Sequence, residues 1–203
     1  MKKIVFLLAI CGLFIGCTEN RVRSTATEYL KKQMKDPSSF KIEKAEVVLD
    51  TIPLFLNKQI LSCAEDVSNA IDEKNRYKDR DSYLWRKEIE RASEKLTNAF
   101  LNFSLEYQAQ KKKERSVQYL VLINCSANNS YGSLISGKFI VIVDKNNTDK
   151  VLGEYNLDSD FAKKFVTAYI MTGNGDLEQN EFGKVETENL SSVEKFIFAD
   201  EWK

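Results

Sequence analysis

The chain has 203 residues, and its 30 Lys and Arg are matched by 30 Asp and Glu, with no histidine at all. A balanced charge gives no electrostatic case for nucleic acid, which needs a basic face to displace counterions. Without imidazole there is no nucleophile–histidine pair and no histidine-ligated metal, so redox and transition-metal chemistry is not expected, and neither is a cofactor.

Lys2 and Lys3 open the chain, and an apolar run from Ile4 to Ile15 leads to Gly16 and Cys17. A run of about twelve apolar residues is too short for a hydrocarbon core that needs ~20 as a helix. It has the length of a signal-peptide apolar region. The stretch Leu13-Phe14-Ile15-Gly16-Cys17 resembles the lipobox of bacterial lipoproteins, with Phe14 bulkier than the residue usual at its place. That resemblance implies cleavage after residue 16, fatty acylation of Cys17, a short tether over residues 17–20 and a domain over 21–203. An uncleaved anchor or buried apolar helix is the alternative, opposed by the Lys-Lys start and the polar switch at Thr18-Glu19-Asn20. Several acyl chains hold a protein durably where one does so only marginally. Thr18 in place of Asp after the cysteine resembles lipoproteins sent on to the outer membrane. With Cys11 removed and Cys17 acylated, Cys63 and Cys125 could form one disulfide in an exported chain, or stay buried as small apolar thiols.

Val22, Ala26, Tyr29, Leu30 and Met34 recur at helical spacing until Asp36-Pro37 stops the helix. From Phe40 to Leu49 apolar and polar residues alternate as in a half-buried strand. Between Leu54 and Lys113 there is neither proline nor glycine. Ile60, Ala64, Val67 and Ile71 mark one amphipathic helix. A polar break at 72–81 follows. Trp85, Ile89, Ala92, Leu96, Ala99 and Phe103 then mark a second, its stripe widened by Phe100 and Tyr107. The simplest reading is an antiparallel helical hairpin inserted after the first strand. A coiled-coil partner helix is the alternative, with about three heptads to support it. Lys111-Lys112-Lys113 suits the negative pole of a helix C-terminus.

Strand formers then take over at Tyr119–Cys125, Lys138–Asp144 and Val151–Leu157, separated by turns at Asn128–Gly132 and Asn146-Asn147. Asp158 or Ser159 opens a helix with Phe161, Phe165, Ala168 and Tyr169, stopped by Gly173-Asn174-Gly175. After a polar stretch from Leu177 to Glu188, Val193, Phe196, Ile197 and Trp202 share the face of a last helix. The expected fold is α+β: an antiparallel sheet of about four strands, helices on one face, and a long helical hairpin over about 54–113 after the first strand.

Candidate chemistry is sparse. Asp176 with Glu178, or Glu88 with Glu90, could act as paired carboxylates on a cell-wall or dietary glycan, although residues two apart on a helix diverge. Asn174 to Asn180 places oxygen ligands at alternate positions as in a calcium loop. Gln179 and Val185 stand where that loop needs Gly and Glu. Trp85, Phe100, Phe103 and Tyr107 could form a ligand platform, but their helical spacing suits core packing. Tyr131 sits in a turn, where it either folds back over the sheet edge or stacks on a ligand beside the amides of Asn128 and Asn129.

Two segments also carry a resemblance: Leu30–Phe40, with Lys35-Asp36-Pro37-Ser38-Ser39-Phe40, and Cys125–Gly132, with Asn128-Asn129-Ser130-Tyr131-Gly132. In this order they are similar to the Asp-Pro-Ser-Ser-Phe opening and the later Asn-Ser-Tyr-Gly hairpin of small bacterial envelope proteins. The whole resembles lipoproteins exported by Bacteroides-type bacteria. The resemblance implies a fold and an envelope location but no activity; within that lineage, Asp50-Thr51-Ile52 resembles an O-glycosylation motif. The expectation is a membrane-anchored, non-catalytic binding domain whose partner is an envelope protein or a glycan.

Overall fold

The computed structural model describes residues 2–78, 80, 83–174 and 191–198. It is α+β, with elements in the order α1 (Lys2–Gln33), β1 (Lys41–Thr51), α2 (Lys58–Asn75), α3 (Arg86–Lys111), β2 (Val117–Asn128), β3 (Leu134–Val143), β4 (Val151–Asn156), α4 (Ser159–Tyr169) and α5 (Ser192–Phe198). The four strands form one antiparallel sheet in the order β1-β2-β3-β4, as the alternation and the Asn-rich turns require. The α2/α3 pair lies between β1 and β2 in the chain.

Two compact units result. The first comprises the described parts of Met1–Thr51, Ser116–Asp158 and Thr187–Lys203. Its core forms where α1 meets the sheet. Val22, Ala26 and Leu30, each wholly buried, lie against Val121, Ile123, Cys125, Val141 and Val143. The four-residue spacing on the helix and the two-residue spacing on the strands give each element one apolar face. The opposite sheet face holds Leu120, Leu122, Ile140 and Ile142, also buried. From within α1, one turn before Thr25, the bidentate Arg21–Asp149 ion pair reaches the turn between β3 and β4.

The second unit joins Ile52–Arg115 to the described part of Ser159–Glu186. The insertion is thus larger than the stretch between the first two strands, because α4 packs on α2. Phe55 meets the rings of Phe165 and Tyr169 edge-on, each at 5.4 Å. The hairpin is antiparallel: Asn57, which caps the start of α2, donates from Nδ2 to Gln110 near the end of α3, and Lys95 of α3 pairs with Glu73 of α2. Three apolar positions depart from the periodic reading, one of them Trp85, which stands just before α3 and is 38% exposed. Ala70 is buried where the stripe of α2 passes, leaving Ile71 36% exposed. On α3 the buried positions narrow to Ala92, Ala99, Phe103 and Gln110, and Phe100 does not widen the stripe: it is 42% exposed. One facing helix covers only a narrow seam of α3. A π-helical turn, Ile170–Asn174, follows α4 directly. Its Thr172 carbonyl accepts a hydrogen bond from Tyr107.

Candidate functional site

The two segments singled out in the sequence meet at one end of the sheet. Asp36 caps the short turn Pro37–Ser39, its Oδ1 accepting from the Ser38 amide and hydroxyl. These bonds, led by that from the Ser38 hydroxyl, hold the Asp36 carboxyl below its ordinary range. The Ser39 hydroxyl donates to the Asp36 carbonyl and accepts from the Asn128 amide at 2.8 Å. Ser39 therefore ties the exit of α1 to the last residue of β2.

Beyond Asn128 the β2–β3 hairpin turns on Asn129. Its Oδ1 accepts from the amides of Tyr131 and Ser133, both at 2.9 Å, while its carbonyl accepts from Gly132. Gly132 has φ +78°, a conformation that disfavours any side chain. This wiring holds Tyr131 out at 91% exposure, so it does not fold back over the sheet. The candidate trio therefore divides. Asn129 is occupied in building the turn, Asn128 contributes its backbone amide to Ser39, and Tyr131 is displayed.

Around Tyr131 the surface is unusually apolar. Leu134 is 65% and Ile135 55% exposed, and Ile42 lies at the same end of β1, facing Cys125 across the strand pair. The helix α1 stops at Gln33, short of this end, so the sheet face that it covers elsewhere is left open. The result is a groove of about 250 Å³ between Met34 and Lys35 on one side and Ala127, Ile135 and Phe139 on the other. Gly137 forms part of its lining: a Cβ there would lie 2.7 Å from the Phe139 ring, which occupies that space instead. Periodicity could not reveal this groove, since it depends on where a helix stops relative to a strand reached about a hundred residues later. Exposed Leu and Ile beside a turn tyrosine were the only local trace of it.

The remaining candidates fall elsewhere. Glu90 pairs with Arg86 on an exposed turn of α3, and Glu88 is exposed beside it, so these carboxylates form no shared cleft. Asp176 and Glu178 lie outside the described residues, as does the calcium-like loop after Asn174 and Trp202. Phe103 and Tyr107 stack with each other, Phe103 fully buried, which makes them packing residues. Trp85 and Phe100 are partly exposed and belong to the second unit. No group of three or more acidic or cysteine side chains suited to a metal occurs among the described residues. Cys17, Cys63 and Cys125 carry free thiols. Cys63 is half-buried on α2, and Cys125 is buried in the sheet, where desolvation pushes its thiol up to about 11.

A larger, more polar depression of about 630 Å³ borders the Arg21–Asp149 pair. Its walls are exposed and half-buried side chains of α1, the β3–β4 turn and the start of β4, with Arg21 of α1 already joined to Asp149 of the turn. Among the described residues no helix is long and apolar enough to cross a membrane. No family model matches the chain, and neither a curated protein nor a solved structure matches it.

Proposed function

We propose that the chain is a bacterial envelope lipoprotein, cut before Cys17 and anchored by acyl chains on that residue, probing its surroundings with a non-catalytic binding end. The lipobox-like Leu13–Cys17 stretch supports the anchor. The packing of α1 is compatible with it: Cys17 is exposed, and the first fully buried side chain among the described residues is Val22. Thr18 after the cysteine favours the outer membrane.

The observation that carries the binding role is the display of Tyr131 and Ile135 beside an apolar groove, on a turn held by side-chain and backbone hydrogen bonds. Exposed aromatic and aliphatic side chains beside a preformed concavity bury large area on contact at small conformational cost. Cys17 and Gln33 are separated by sixteen residues of one helix, or ~24 Å at the helical rise, so the groove stands at the end of α1 remote from the anchor. An envelope protein or a glycan is the partner expected there. A photo-crosslinking amino acid at position 131 in cells should capture a discrete partner that the same residue at Lys145, in the β3–β4 turn, does not. Identical adducts from both positions, or none from 131, would overturn the binding role.

A further inference from the structure

β1 is an edge strand of eleven residues. Among the described residues its backbone pairs only with β2, so alternate N–H and C=O groups on its other side stay open. Such edges invite another strand, and proteins commonly blunt them with bulges or charges. Here a bulge between Ile42 and Lys44 interrupts the first part of the strand, while Lys44–Thr51 runs in regular register. Two of the three charges on that regular part, Lys44 and Asp50 but not Glu46, complement those of a second copy. Lys44 and Asp50 stand three residues on either side of Val47 and point to the same sheet face, opposite Asn124 and Gln118.

We infer that β1 pairs with β1 of a second copy of this chain, antiparallel about a two-fold axis at Val47, to make a continuous eight-stranded sheet. In that register Lys44 faces Asp50 of the second copy, and Asp50 faces its Lys44. Val47 faces Val47. Leu49, now 50% exposed, covers the small side chain of Ala45. Residues in antiparallel register must match in the direction of their backbone groups, and positions whose numbers sum to an even value about one centre do so. The interface is isologous, so each favourable pair occurs twice. Glu46 lies opposite Val48 and remains with Lys44 at 3.8 Å on its own strand. This inference does not depend on the lipid anchor or on the groove.

The test uses two differently tagged copies of the full chain, co-expressed, with recovery of one through the other as the readout. Wild-type copies should co-purify. Lys44→Asp in both copies sets carboxylate against carboxylate at each of the two charge pairs, and Asp50→Lys in both sets ammonium against ammonium; each should lower recovery roughly tenfold. A Lys44→Asp copy expressed with an Asp50→Lys copy should recover it, as should the double swap carried on both copies. The complementary pair keeps the test meaningful if a single variant is poorly folded. Absence of wild-type co-purification would overturn the inference. So would recovery unaffected by the single variants, or failure of the complementary copies to restore it.

Discussion

Leu30→Ala probes the contact on which the first unit depends. Leu30 is wholly buried with Val22 and Ala26 on the face that α1 turns to the sheet. Truncation removes its buried methyl and methylene groups and leaves a cavity walled by strand residues that cannot collapse without breaking register. Leu→Ala changes at such sites cost ~2–5 kcal/mol, and the rigid sheet places the expected loss near ~3 kcal/mol. The slightly better helix propensity of alanine offsets only a few tenths of that. With a urea slope of ~2 kcal/mol/M, the unfolding midpoint should fall by roughly 1.5 M. Leu134→Ala is the matched control: the same atoms are removed from a side chain that is 65% exposed, and the cost should stay within ~0.5 kcal/mol. Urea titrations followed by circular dichroism compare the two. Equal midpoints for the two variants would refute the packing of α1 described above.

Other outcomes follow from the same residues. Asn129→Ala removes the acceptor of two backbone amides and should cost ~1–2 kcal/mol by urea titration, whereas Tyr131→Ala should leave stability unchanged and abolish partner capture by a crosslinking amino acid placed at position 135. Stability should fall in alkali. Burial raises the Cys125 thiol from 9.0 to about 11 and the Tyr155 phenol from 10.0 to about 12. The unfolded chain therefore releases these protons first. The stability contributed by keeping them neutral is complete below pH 9 and drains between pH 9 and 12, which urea midpoints across that range would show.

Much of the fold was legible because the signals were local. Val22, Ala26 and Leu30 repeat at helical spacing, Asp36-Pro37 stops the helix, and Asn129 with Gly132 announces the hairpin. Each fixes backbone conformation through its own side chain. The misjudged positions were decided by distant partners. Phe100 belongs to a plausible stripe, yet α2 covers only the seam through Ala99 and Phe103, leaving it exposed. The allegiance of α4 to the insertion depends on Phe55 meeting Phe165, more than a hundred residues apart. The candidate site was half legible for the same reason. Tyr131 stood out by sitting in a turn, but the Ser39–Asn128 hydrogen bond and the groove beside it are made by segments 89 residues apart, and no periodicity carries that information.

Acylation at Cys17 is the point on which the proposed role turns most directly. Cells fed an alkyne-tagged fatty acid should yield a labelled protein in the membrane fraction, with an intact mass that starts at Cys17 and includes the acyl additions. Cys17→Ala should abolish both the label and the processing. A labelled Cys17→Ala chain, or a wild-type mass that retains residues 1–16, would contradict the claim that this domain works from a lipid anchor.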